Sequence, residues 1–238
     1  MISLVVTLLF LLHVDYSAGH SNEYKFFDMV RQWTPNTCYL SSHKCKHLIP
    51  QIKDVWTIHG LWPSLDAKHY PADCAGSTCH FNTSSIADLL PMMHVEWPTD
   101  YSGGDTKFWN HEYCKHGTCC TDVLPTQHDF FSKALELHHL YNVEQALAVA
   151  GIVPDLHVTY TMEQLRQAVE TSFGVKEAVF WCRSVKDNGI SKQLLFQISI
   201  CFTKEFVVMD CPIGKPPSCK ENKRFYLLPY SILNSTEN

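Results

Sequence analysis

Eleven cysteines, at positions 38, 45, 74, 79, 114, 119, 120, 182, 201, 211 and 219, constrain this 238-residue chain more than any other feature. All of them follow an apolar run, LVVTLLFLL from Leu4 to Leu12, bounded by polar residues. That run is far shorter than the roughly 20 residues a membrane-spanning helix needs. With small Ser17 and Gly19 behind it, the run has the form of a secretory signal cut after Gly19. The chain therefore divides into a signal peptide, 1–19, and a mature domain, 20–238, bound for an oxidising compartment. There, eleven cysteines read as four or five disulfides with at least one thiol left over.

The mature length suits a single domain with a substantial core. No repeat, low-complexity linker or charge block divides it, and no later segment is apolar enough to span a membrane. Loss of Asp15 with the signal leaves 19 basic against 23 acidic side chains. Such a balance excludes a protein that binds nucleic acid through a broad basic surface. Thirteen mature histidines reverse the sign of that charge if they protonate, so polyanion binding is expected to be local or acid-dependent. Sequons at Asn82 and Asn234 mark surface positions open to glycosylation.

Aromatic and β-branched runs predict strands over Tyr24–Trp33, Asp54–Leu61, Glu177–Arg183, Gln193–Thr203 and Glu205–Met209. In the fourth, Phe196, Ile198, Ile200 and Phe202 alternate with Gln197, Ser199 and Cys201, as in a half-buried strand. Helical spacing covers Ser85–Trp97 with a break at Pro91, Thr106–Lys115, Asp129–Tyr141, Val143–Ala150 and Met162–Phe173. The last two begin at Asn142-x-x-Gln145 and Thr161-x-x-Gln164, which resemble capping boxes. Strands at both ends and helices between them predict an α+β fold. Its helices pack on one side of a mainly antiparallel sheet in one disulfide-stapled domain.

One stretch concentrates reactive groups: HEYCKHGTCC, His111 to Cys120. Zinc helices of the HExxH type place histidines at i and i+4, about 40° apart on the wheel. His111 and His116 are i and i+5, which argues against a shared metal. The cysteine order, Cys114-x-x-x-x-Cys119-Cys120, is not the Cys-x-x-Cys of a thiol redox helix. Acid–base chemistry fits better. His111 with Lys115 and Glu112 with His116 are both i, i+4 pairs able to meet within one turn. A carboxylate beside His116 would raise its imidazole pKa, and a lysine beside His111 suits a phosphate oxygen. The same residues also fit a solvated helix face.

Upstream, WTIHGLWP sets His59 between Trp56 and Trp62. A hydrogen-bonded core histidine fits this position too. Gly60, however, admits the close approach of a ligand or another backbone, and Trp62 could offer a base a stacking face.

WTIHGLWP and FWNHEYCKHGTC, about fifty residues apart, resemble the paired signature of the ribonuclease T2 family of secreted, vacuolar or lysosomal acid endoribonucleases. Weaker likeness extends through IADLLPMMHVEWP, FFSKALELHHLY and ICFTK, nearly the whole mature chain. The resemblance implies cofactor-free and metal-free transesterification of single-stranded RNA to 2′,3′-cyclic phosphate ends, with DNA excluded because it lacks the nucleophile. It assigns His116 as base and His59 as acid. Glu112 and Lys115 are implied to stabilise the transition state, Glu112 also to position His116, and His111 to assist phosphate binding. Trp62 is a candidate wall of a base pocket.

The resemblance also implies disulfides Cys38–Cys45, Cys74–Cys119, Cys182–Cys219 and Cys201–Cys211. Cys79, Cys114 and Cys120 are left, with Cys79–Cys114 one candidate for a fifth bridge. Ser64 stands where many relatives carry an acidic residue that helps read a purine, with Asp66 two residues on. A monomer is expected, with a disulfide dimer open to the unpaired cysteine. Export and lysosomal retention fit equally. A secreted effector acting by uptake or receptor binding is the competing reading, and the intact His59, Glu112, Lys115 and His116 set argues against a catalytic relic.

Overall fold

A computed structural model describes residues 23–41, 54–99, 103–187, 190–212 and 219–233. The expected signal peptide, Cys45 and Asn234 lie outside them. Among the described residues, six strands form one sheet. β1 (Phe26–Trp33), β2 (Trp56–Ser64), β3 (Val179–Asp187) and β4 (Ile190–Thr203) run antiparallel in the order β2-β1-β4-β3. Two short strands, β5 (Val208–Met209) and β6 (Phe225–Tyr226), pair with β4, the latter in parallel. The helices are α1 (Thr34–Ser41), α2 (Leu90–Glu96), α3 (Asp105–Lys115), α4 (Gln127–Leu140), α5 (Val143–Val149) and α6 (Met162–Phe173).

β1 and β4 occupy the middle, so their polar positions are buried as well as their apolar ones. Phe27, Met29 and Trp33 of β1 join Ile198, Ile200 and Phe202 of β4 in the main core, with Trp109, Phe130, Phe131 and Leu165 from the helices. On the opposite face, Asp28, Gln32, Gln197, Ser199 and Cys201 are buried too. The half-buried reading of β4 is thus corrected: strands pair along both its edges, and both faces are covered.

Other differences have local causes. The segment around Pro91 forms two short helical pieces, a 3₁₀ turn at Thr83–Ile86 and α2, but the break falls before Pro91, which sits in the first turn of α2 where a proline loses no hydrogen bond. α1 was not expected. It lacks an apolar stripe and has only Pro35, near its start, as a helix signal. The fifth strand shrinks to Val208–Met209, since Phe206 adopts a positive φ of 62° in the preceding turn. β6 is too short to leave a pattern. Thr161 and Gln164 form a reciprocal capping box, whereas the Asn142 side chain only accepts from Gln145 N; Thr126 and Asp129 cap α4 reciprocally.

Arg31 is fully buried among the core residues. Its Nη2 donates to the carbonyl of Leu137 at 2.8 Å, in the last turn of α4. The negative end of that helix offsets a cation that burial makes expensive, and desolvation lowers the guanidinium pKa to about 9.

Two bridges, Cys74–Cys119 and Cys79–Cys114, staple the segment after β2 along the end of α3. Backbone bonds run with them: Asp73 N donates to Lys115 O at 2.9 Å. Cys182–Cys219 ties β3 to the segment before β6, and Cys201–Cys211 ties β4 to the chain just past β5. Cys38 is bonded as well. Cys120 is a free thiol, completely buried and so out of reach of a second folded chain. Replacing Cys79 and Cys114 by alanine should cost about 3–4 kcal/mol through the 35-residue loop they close, read by urea unfolding with the other bridges intact.

Candidate active site

His59 owes its position to an irregularity in β2. Val30 pairs with Gly60 and Arg31 with Ile58, so His59 is an extra residue bulged out of the ladder. In a regular strand, Ile58 and Leu61 would face opposite sides; both lie in the main core. The bulge resets the alternation and turns the His59 side chain into a cleft. The buried indole of Trp97 donates to the His59 carbonyl at 3.0 Å, and the indole of Trp109 donates to the Trp97 carbonyl at 2.8 Å. A chain of tryptophans from two helical segments therefore holds the bulge.

α3 supplies the other half. Glu112 and Trp109 face inward, while His111 and Lys115 line the cleft with Tyr70. His116 caps the helix with its backbone at φ −113°, already leaving helical geometry. Its ring stacks on Trp62, centroids 5.2 Å apart, and the rings of Trp62 and His59 meet edge to face, centroids 5.1 Å apart. One indole thus touches both imidazoles. Its Nε1 donates to Glu112 Oε2 at 2.8 Å, joining the two sequence motifs. The cleft holds about 510 Å³, and a second hollow of about 400 Å³ on the Lys107 and Phe108 side shares His59, His111 and Glu112 with it.

Burial governs the electrostatics. Desolvation pushes the Glu112 carboxyl up to about 8, against the Trp62 hydrogen bond and Lys115. Desolvation lowers His59 to about 4, helped by His111 and Lys115, and holds His116 further below the ordinary imidazole range. His111 is lowered by burial and then by Lys115. The expected rise at His116 does not occur. A Glu112 kept neutral offers no anion, its Oε2 accepts from the Trp62 indole, and the Nδ1 of His116 is buried without a partner among the described residues.

Residues 59, 62, 111, 112, 115 and 116 converge on one cleft. Tyr70 and Gln197 were not singled out from sequence. Tyr70, 52 % exposed, lies 5.8 Å from the His116 ring and 5.9 Å from Lys115 Nζ. An aromatic in an otherwise polar loop was the available signal. Gln197 Nε2 donates to His59 Nδ1 from mid-β4, where alternation made it look like an ordinary polar position. Ser64 is buried and donates to the Trp62 carbonyl at 3.3 Å. Asp66 spends its carboxylate on its own loop, accepting from Lys68 N and from His69. Asn82 is exposed.

Gly60 lies beneath the Trp62–Glu112 bond: a Cβ there would collide with both Glu112 Oε2 and Trp62 Nε1. The close approach that glycine permits is made by the protein's own side chains. Gly60→Ala should therefore cost about 1–3 kcal/mol of stability. Thermal unfolding and hydrogen exchange at the Trp62 indole N–H would check this, with faster exchange expected in the variant.

The ribonuclease T2 family model matches residues 24–211. The chain is 37% identical over 195 residues to Ribonuclease Oy of Magallana gigas, covering 79% of this chain and 88% of that one. It is 34% identical over 219 residues to Ribonuclease 1 of Arabidopsis thaliana, covering 90% and 92%. The crystal structure of RNase NT in complex with 5′-AMP superposes with a TM-score of 0.76 at 28% identity, covering 87% of this chain and 99% of that one. The two motifs that one indole binds into a single cleft, and the sheet that carries them, are those of the ribonuclease T2 family of endoribonucleases, to which this chain belongs.

Proposed function

We propose that this endoribonuclease cleaves single-stranded RNA by transesterification, with His116 and His59 as the acid–base pair. The observation that carries the reading is the placement of both imidazoles against Trp62, beside Lys115, His111 and a buried Glu112. His116, kept neutral by burial, takes the proton of the ribose 2′-OH as that oxygen attacks the adjacent phosphorus. His59 gives a proton to the departing 5′-oxygen, and the products are a 2′,3′-cyclic phosphate and a free 5′-OH. Charge developing on the non-bridging oxygens is met by Lys115 and His111, and by a hydrogen bond donated from the protonated Glu112 carboxyl. DNA is excluded because it lacks the attacking hydroxyl.

The low pKa of His59 gives this chemistry an acidic working range. The phosphodiester adds the anion that favours a protonated His59 beside two other cationic groups. Tyr70, exposed at the mouth of the cleft, supplies a stacking face, because one face of Trp62 is already covered by His116. The oxidising chemistry of four described bridges and the apolar leader support a secreted or luminal protein, mature from residue 20.

Purified protein should cleave RNA between about pH 4 and 7 with EDTA present, giving 2′,3′-cyclic ends, and His59→Ala and His116→Ala should each lose at least about 10²-fold. Metal dependence, or full activity in either variant, would refute the reading. Glu112 makes a separate prediction. A carboxyl that is protonated below about 8 donates a hydrogen bond, and that donor is lost as pH rises through 8. Glu112→Gln keeps a donor, so at pH 5 it should retain about tenfold more activity than Glu112→Ala. Equal rates in the two variants would show that the donor is not used.

A further inference from the structure

Among the described residues, Gln197 is the side chain hydrogen-bonded to a ring nitrogen of His59, and it lies outside both sequence motifs. Its backbone is fixed from both sides, since β4 sets it opposite Gln32 of β1 and Trp181 of β3. The side chain is only 9 % exposed and crosses the polar face of the sheet to reach Nδ1 of His59. That placement decides which nitrogen of His59 can exchange a proton with the cleft. With the amide nitrogen against Nδ1, the neutral ring accepts there and its proton sits on Nε2. When the ring takes a second proton, Nδ1 becomes a donor. A half-turn of the terminal amide then offers Oε1 in place of Nε2, at the same position and without moving the ring. A neutral amide can serve both states; a carboxylate would favour only the charged one, and an alkyl chain would serve neither.

We propose that Gln197 is a positioning residue that pairs with Nδ1 of His59 in both charge states, so that the transferable proton always resides on Nε2. The proposal rests on the reading of His59 as the proton donor. The charged and titratable groups that line the two hollows with His59 are His111, Glu112, Lys115 and Lys107 of α3, His116 at its C-terminal cap, Asp28 of β1, and Asp66, Lys68, His69 and Tyr70 after β2; β4 contributes the uncharged Gln197. None of the α3 groups is hydrogen-bonded to Nδ1 among the described residues.

The test is a titration of His59 by ¹⁵N NMR, beside pH–rate profiles, in the parent, Gln197→Glu and Gln197→Met. In the parent, neutral His59 should be the Nε2–H tautomer. Gln197→Glu should raise the titration of His59, and the limb of the profile it sets, by at least about one pH unit. Gln197→Met, which buries no charge and keeps the volume, should divide neutral His59 between tautomers. It should also lower kcat about tenfold or more, with KM within about threefold. If Gln197→Glu does not fold, the tautomer and the kcat–KM split in Gln197→Met decide the matter.

An unshifted His59 in folded Gln197→Glu, or an Nε2–H tautomer and parental kcat in Gln197→Met, would overturn the proposal. The NMR arm reads His59 without turnover. If His59→Ala keeps its activity while the NMR shifts appear, the acid role fails and the pairing by Gln197 stands.

Discussion

The hydrogen bond from the Trp62 indole to Glu112 is the interaction on which the site depends. It is made between β2 and α3, elements fifty positions apart, and it passes directly over Gly60. It holds the indole that contacts both imidazoles against the helix that carries Glu112. The two bridges beside α3 act on the same relationship covalently. Packing by Trp97 and Trp109 acts on it from below, because it fixes the bulge from which His59 projects.

The cost of this arrangement is electrostatic. A carboxyl and two imidazoles are taken out of water, and each responds by favouring its uncharged form. Lys115 supplies the positive character, so before substrate arrives the cleft holds a cation beside groups kept neutral. A phosphodiester supplies the missing anion. That is a physical reason for a chain of net negative charge to handle a polyanion: the positive potential is confined to a few groups in a recess.

Much of this could be read in the sequence. Strand alternation and helical spacing gave the fold class, and the two motifs named the residues that meet at the cleft. The missing parts share a cause. The bulge at His59 leaves no compositional trace, since it arises from register between β1 and β2. The same is true of Gln197, whose distance from His59 along the chain hides a contact made across the intervening strand β1. The effect of Glu112 on His116 was misjudged because helical spacing counts positions and cannot count water. Asp66 likewise sits near the cleft, but its own turn consumes its oxygens.

Cys120 has a consequence of a different kind. It directly follows bridged Cys119, and its thiol lies buried with Sγ donating to the Gly117 carbonyl at 3.2 Å. Burial pushes that thiol far above its ordinary range, so almost none of it is thiolate. Disulfide exchange proceeds by thiolate attack. An odd cysteine one residue from a bridge would ordinarily be the agent of scrambling; here it is a small apolar filler. Once the chain has closed over it, the pairing pattern around α3 is kinetically sealed, and an unfolding event is needed before the bridges can trade partners.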